Sequence, residues 1–349
     1  MSHLLLTLGA GAVLGLAFLR LKVPGGMMVG AMVGVAAFNI GTGLAYMPAT
    51  ARLAAQITAG AFIGASVEKR DLRRMPKLIK PALILLGGML ILNLAMGPVI
   101  HALSGLDWMT SFFCAVPGGI SDTPIIAADM GADAGDVALA QFSRLVAGIG
   151  IFPSLILAMT RHDPQGEEGA HQAGAADRQK DPASVALTIA VAAVCGFIGK
   201  RSGVPVGALL FAMLGVIALK LLTDRAAVPL WLKRLAQLLS GAYIGSSMGL
   251  ADLLEMRVLL LPIVLLVLAY LLNCLVISTL LHRFCGIRRR EAMLAATPAG
   301  ANDMALISGD LGVHSQDLNV LQIIRMIVVV SVFPQIVRLV VSLLEGTRP

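Results

Sequence analysis

Two proline-glycine turns, 181 residues apart, interrupt apolar stretches of this 349-residue chain. The first lies in AVPGGISD, residues 115–122, and the second in ATPAGAND, residues 296–303. Only 13% of the residues are charged and 57% are hydrophobic, whereas soluble domains carry about 25% charged residues. Irregular backbone survives at membrane depth only where protein buries it or where it lines a wet cavity. We therefore predict an all-α integral membrane protein with a functional break in each half.

Apolar runs near the ~20 residues that cross a bilayer recur along the whole chain. They predict a multi-pass protein in which the lipid bilayer is the surrounding solvent, consistent with a mean hydropathy of +0.86. The predicted spans are 3–19, 27–47, 53–67, 81–100, 137–160, 185–199, 204–222, 235–250, 258–281 and 318–344.

The spacing of 181 residues holds along nearly the whole chain without a gap. It predicts a first membrane repeat at 1–160 and a second at 184–349, joined by a polar linker at 161–183. The matched pairs include Pro117 with Pro298, Asp122 with Asp303, Gln56 with Gln237, Gln141 with Gln322, and Arg144 with Arg325.

Loop charges indicate that the two repeats are inverted in the membrane. Residues 69–80 hold six Lys or Arg and their counterparts 250–261 hold one, whereas 282–290 hold four and 101–109 hold none. Lys and Arg gather on the cytoplasmic side, so the linker and 282–290 are expected inside and both termini outside. Inversion needs an odd number of crossings, about five per repeat. Residues 109–134 are therefore expected to form a re-entrant segment or a broken helix.

The candidate binding site lies at the two breaks. Glycines let a ligand approach the backbone closely, helix N-termini favour anions, and a carboxylate with unpaired carbonyls suits a cation. The alternative is that Asp122 and Asp303 only cap the helices that follow them. The candidate residues at the breaks are Pro117, Gly118, Gly119, Ser121, Asp122, Pro298, Gly300, Asn302 and Asp303.

One arginine lies deep in the last span of each repeat, where a charge is expensive and usually functional. Arg144 and Arg325 each follow a glutamine by three residues, which places Gln141 and Gln322 on the same helix faces. Each guanidinium could hold a substrate carboxylate. Alternatively, Arg144 could pair with Asp122 or Asp129, and Arg325 with Asp303 or Asp310. Both interpretations stay open. Gln56 and Gln237 complete the candidate set, beside Gly-x-x-x-Gly pairs that favour close helix packing.

The sequence indicates neither an enzyme nor a metal protein. The six His are scattered singly and the four Cys form no C-x-x-C, so we predict no catalytic residue, no metal site and no cofactor. Na⁺ or H⁺ is expected as a coupling ion. The net charge of +7 is concentrated in loops between spans, and no motif for reading nucleic acid is present.

The paired motifs, with VPGG at 23–26 and VPVG at 204–207, resemble the duplicated membrane-protein family called AbrB. The resemblance covers the whole chain apart from the linker. It implies the architecture of inverted-repeat, elevator-like secondary transporters related to cation–proton antiporters and bile-acid symporters, in a bacterial inner membrane. Two guanidiniums at the breaks favour a small organic anion, a carboxylate, as substrate. A homodimer is left open.

Labels carried by members of this family supply two other functions. A membrane-bound regulator of gene expression is the first alternative, although the linker is the longest polar stretch between spans. A subunit of a membrane monooxygenase is the second. It would need copper or iron held by His and carboxylate clusters, for which the sequence offers no candidates.

Overall fold

The structure is a computed structural model that describes residues 2–21, 23, 25–120, 122–160, 181–223, 226–250, 256–298 and 315–346. The described residues are almost entirely helical, with one short 3₁₀ turn at Met256–Leu259. The helices of the first repeat are α1 Ser2–Arg20, α2 Gly26–Thr42, α3 Ala49–Ser66, α4 Lys69–Ser104, α5 Trp108–Ala115, α6 Thr123–Asp129, α7 Ala134–Gly150 and α8 Phe152–Met159. Those that follow are α9 Pro182–Arg201, α10 Gly207–Thr223, α11 Leu230–Ser247, α12 Leu260–Cys285, α13 Arg289–Ala296, α14 Gln316–Ser331 and α15 Phe333–Gly346.

Five helical stretches in the described residues are long and apolar enough to cross a bilayer, and two shorter apolar helices, α2 and α10, accompany them. Length and composition therefore indicate a helical membrane protein. The other predicted spans are shorter or carry more polar residues, so the count of ten stays a prediction. The five stretches are His3–Arg20, Arg74–Ser104, Pro182–Arg201, Arg257–Cys285 and Asp317–Gly346.

The described helices pack as two groups. Helix group 1 consists of α1, α2 and α3 with α9, α10 and α11, which are the first three helices of each repeat. Helix group 2 consists of α4–α8 with α12–α15. Contact between the groups is confined mainly to α3 and α11 on one side and α6, α7 and α14 on the other. The middle of the molecule is therefore a junction between two packed bodies.

Helix group 1 is held together by close backbone approaches that recur in both repeats. Helix α3 packs on α10, and the equivalent helix α11 packs on α2. These contacts are reciprocal, because in each of them the third helix of one repeat packs on the second helix of the other repeat. At these two interfaces a Cβ atom would collide with a carbonyl oxygen at glycines of α3 and α11: Gly60 with Leu209, Gly64 with Met213, Gly241 with Met28, and Gly245 with Met32. Small residues at this spacing allow the approach.

The chain leaves helical conformation at the first proline-glycine turn. Helix α5 ends at Ala115 and α6 begins at Thr123, so the predicted broken helix between 109 and 134 is present. Pro117 cannot donate a backbone hydrogen bond. A Cβ atom at Gly118 would collide with the hydroxyl of Thr123, so a larger residue there would displace the Thr123 side chain.

The last span of each repeat is not one uninterrupted helix. Helix α7 ends at Gly150 and α8 begins at Phe152, and α14 and α15 divide in the same way near Val332. Pro153 and Pro334 occupy the first turns that follow, where their missing N–H groups are tolerated.

Parts of two predicted regions cannot be compared with the structure. Most of the predicted linker, 161–180, lies outside the described residues, and α9 already begins at Pro182. The second turn is described only as far as Pro298, the second residue after α13, which is buried.

Candidate functional site

A cavity of about 650 Å³ lies at the junction of the two helix groups. Its walls come from α3 and α11 of helix group 1, and from α14 and the first helix break of helix group 2. Leu230 and Arg234, at the start of α11, line the cavity and are exposed, so this end reaches solvent. Ligand sites in proteins have volumes of about 300–1,000 Å³, so the cavity has the size of a small-molecule site.

Basic side chains outnumber acidic ones in the cavity wall. Among the described residues that line it, Lys233, Arg234 and Arg325 are basic and Asp122 is acidic. The remaining wall combines apolar side chains with amides and hydroxyls from both helix groups. Charges at a junction of low dielectric interact more strongly than in water, so this wall favours a ligand with a negative charge.

Asp122 lies at the first break, directly before α6, and lines the cavity. It occupies the N-cap position, but its side chain accepts no capping hydrogen bond from α6. The carboxylate is therefore not used as a helix cap in the described structure. A partly buried carboxylate facing a cavity is a candidate for holding a cation or a proton.

Arg144 and Gln141 hold the first break in place from α7. The Arg144 guanidinium donates to the carbonyl oxygens of Val116, at 3.1 Å, and of Gly118. The Gln141 amide donates to Phe113, at 3.2 Å, and to Val116, at 2.9 Å. The last carbonyls of a helix have no partner within the helix, and a cation is favourable there. Arg144 thus stabilises the end of α5. This role differs from both sequence-based alternatives, which were contact with a substrate and pairing with an aspartate.

Two more helices complete the hydrogen bonding of this segment. Asn93 of α4 donates to the Phe112 carbonyl at 2.8 Å, and the Tyr270 hydroxyl of α12 donates to the Ala115 carbonyl at 2.8 Å. The Arg144 guanidinium also lies 5.8 Å from the centre of the Tyr270 ring. Side chains from α4, α7 and α12 therefore fix the broken backbone rigidly, as a binding site requires.

The second break uses equivalent bonds. Arg325 donates to Thr297 at 2.7 Å and Gln322 donates to Leu294 at 3.3 Å, which are the same repeat positions as in the first break. Unlike Arg144 and Gln141, both side chains also line the cavity. Arg325 is thus both a helix-end partner and part of the cavity wall.

The structure divides the predicted site residues into four sets. Arg144 and Gln141 lie behind the break, Gln56 and Pro298 are buried away from the cavity, and four residues lie outside the described part of the chain. The residues on the cavity are Pro117, Gly118, Gly119, Asp122, Gln237, Gln322 and Arg325. The residues outside the description are Ser121, Gly300, Asn302 and Asp303.

Two cations of α11 belong to the cavity wall but were not predicted from the sequence. Lys233 and Arg234 line the cavity, and Lys233 lies 4.1 Å from the centre of the Phe62 ring on α3. Its equivalent in the first repeat is Arg52, which lies 5.5 Å from the Tyr243 ring. The signal that could have identified Lys233 is a cation followed by an aromatic residue ten positions later, which occurs in both repeats; Arg234 has no such signal.

Comparison with known proteins identifies the family. A family model described as "Transition state regulatory protein AbrB" matches residues 1–156 and 41–341. The chain belongs to the AbrB family. This confirms the resemblance that the two turn motifs carry.

Two similar proteins match most of the chain. A Bacillus subtilis (strain 168) protein named "Uncharacterized protein YhjN" is 31% identical over 273 residues, which are 72% of this chain and 70% of the relative. An Escherichia coli (strain K12) protein named "Putative regulator AbrB" is 27% identical over 334 residues, 94% of this chain and 93% of the relative. Within the described part of this chain, no three His, Cys, Asp or Glu side chains are grouped to hold a metal ion.

Proposed function

We propose that this AbrB-family protein is a secondary transporter that moves a small organic anion across a bacterial inner membrane. The observation that carries the proposal is the cavity between the two helix groups, with a broken helix and three basic side chains in its wall. Broken helices at the interface of repeats build substrate sites in many transporters.

The charge and size of the cavity support an organic anion. Lys233, Arg234 and Arg325 come from two different helices, one in each helix group. A carboxylate held between them would contact both groups at once. The apolar part of the wall, which includes Phe62 and Ile323, suits the hydrocarbon portion of such a ligand.

Asp122 is the proposed coupling residue. Its carboxylate faces the same cavity and is not used for capping. Binding of Na⁺ or H⁺ there would neutralise the negative charge of this carboxylate, which repels an anion, and so strengthen the binding of an anion. This linkage would make transport depend on an ion gradient.

Inverted repeats and an elevator-like movement of one group against the other belong to the same proposal. The reciprocal contacts of α3 with α10 and α11 with α2 support a two-fold relation between the repeats. The limited contact between helix groups 1 and 2 supports relative movement. The word regulator in the name of the E. coli relative is compatible with a transporter whose substrate affects gene expression.

Ligand screening followed by transport tests the proposal. Purified protein is screened against organic acids, amino acids and sugars by thermal unfolding, with and without Na⁺, because a ligand of the folded state raises the unfolding temperature. We expect stabilisation by one class of carboxylate, and uptake of that compound into proteoliposomes under a Na⁺ or pH gradient. Stabilisation by cationic or neutral compounds alone would contradict the anion, and tight binding without gradient-driven uptake would contradict transport.

A further inference from the structure

Each repeat places a cation one helical turn before a glutamine at the start of its third helix. In the second repeat these are Lys233 and Gln237, and both line the cavity. In the first repeat the equivalent residues are Arg52 and Gln56. Residues four positions apart share a helix face, so the first repeat carries a copy of this polar face.

The copy in the first repeat is closed by contacts between the two helix groups. Arg52 of α3 forms an ion pair with Asp129 of α6, at 3.5 Å, and donates to the Ala128 carbonyl at 3.0 Å. The Arg52 guanidinium also lies over Tyr243 of α11, the equivalent of the cavity residue Phe62. One side chain therefore joins helix group 1 to helix group 2.

Gln56 lies beneath this closure with an unsatisfied amide. The side chain is 3% exposed, and within the described residues its Nε2 atom is buried without a hydrogen-bond partner. Buried polar groups are almost always paired, so each exception needs an explanation. The unpaired amide of Gln56 is explained if it binds a ligand or water in another state of the protein.

Apolar packing closes the same face. Ala138 of α7 and Ile244 of α11 are buried in one cluster with Met28 of α2. Their equivalents on the other side of the junction, Asn319 and Ile63, line the open cavity. The two sides of the junction are thus built from equivalent positions, with one side open and the other packed.

We infer that Arg52, Gln56 and Tyr243 form a second binding position for the anion, closed in this structure by the ion pair between Arg52 and Asp129. The inference rests on the proposed transport function. It places a binding position on the half of the anion's route across the membrane that the cavity does not reach. In the topology predicted from loop charges, the cavity faces the cytoplasm and Arg52 lies toward the opposite face.

Thiol accessibility tests the inference without a known substrate. The background carries Cys195→Ser and Cys285→Ser, because these two thiols are half-buried whereas those of Cys114 and Cys274 are buried. Gln56→Cys and Gln237→Cys are introduced separately. A membrane-impermeant maleimide is then applied to intact cells or to inside-out vesicles.

The Gln237→Cys thiol should react rapidly from the cytoplasmic side, and the Gln56→Cys thiol slowly from either side. Adding Arg52→Gln should raise the labelling rate of Gln56→Cys from the outside on the order of tenfold, because an ion pair and a charged hydrogen bond are lost. Asp129→Asn should give a smaller rise, since the bond from Arg52 to Ala128 is retained. Arg74→Gln removes an ion pair with Asp317 inside helix group 2 and should change neither rate.

Two results would overturn the inference: unchanged labelling of Gln56→Cys in both the Arg52→Gln and the Asp129→Asn variants, or a rise in labelling from the side on which Gln237→Cys is labelled. Retained labelling of Gln237→Cys shows that each variant is folded. Failure of the transport proposal gives a different pattern, in which Arg52→Gln and Asp129→Asn raise the labelling of Gln56→Cys as expected while no anion is taken up.

Discussion

Arg144 and Arg325 occupy the same position in the two repeats, but their surroundings differ. Both donate to a carbonyl just beyond the first short helix of their break, at Val116 and at Thr297. Arg144 adds a second carbonyl, that of Gly118, and does not line the cavity. Arg325 lines it. The shared role of the motif is therefore to hold a helix end, and contact with a ligand is available to only one of the two copies in this state.

Removing Arg144 should have the largest effect on stability. Arg144→Leu removes the guanidinium donors from the carbonyl of Val116, a buried residue, and from the carbonyl of Gly118. Hydrogen bonds from charged groups contribute about 1.5–3 kcal/mol each, so we expect a loss on the order of 3 kcal/mol in the free energy of unfolding. Thermal unfolding in detergent measures the change.

The control for that prediction is Arg74→Gln. Its ion pair with Asp317 joins side chains that are 46% and 56% exposed, and such pairs contribute little. If Arg144→Leu unfolds at the same temperature as this control, the helix-end role of Arg144 is wrong.

Much of this comparison could be predicted from the sequence, because duplication makes each feature visible twice. The PGG turn predicted a break in the helix, and the three-residue spacing placed Gln141 and Arg144 on one helix face. The carbonyls that both side chains bind could not be predicted, since main-chain carbonyls have no sequence signature. The side on which the cavity opens could not be predicted either, because Arg52 and Lys233 are both cations at equivalent positions and the packing around each is not visible in the sequence.

Arg325→Gln should have an intermediate effect, and on binding more than on folding. The substitution removes one of the basic side chains in the cavity wall and should weaken binding of the identified anion by about 1–3 kcal/mol, roughly a 5- to 150-fold rise in Kd. Ligand-dependent unfolding shifts measure it. Arg144→Lys, where it folds, should bind the anion nearly as well as the parent. Equal affinity in Arg325→Gln, Lys233→Gln and the parent would rule out the anion assignment.

Asp122 gives the smallest expected change in stability, and it separates a coupling residue from a helix cap. Asp107 is its matched control, because its carboxylate accepts from the Thr110 N–H at 2.9 Å and caps α5, whereas Asp122 accepts no such bond from α6. Loss of an N-cap costs about 0.5–2 kcal/mol, so Asp107→Ala should lower stability by about 1 kcal/mol and Asp122→Ala by less than about 0.5 kcal/mol.

Uptake by Asp122→Asn should no longer respond to the Na⁺ or pH gradient, while Asp107→Asn should keep that response. If Asp122→Ala is as destabilising as Asp107→Ala and gradient dependence survives in Asp122→Asn, the carboxylate is structural and the coupling ion must bind elsewhere.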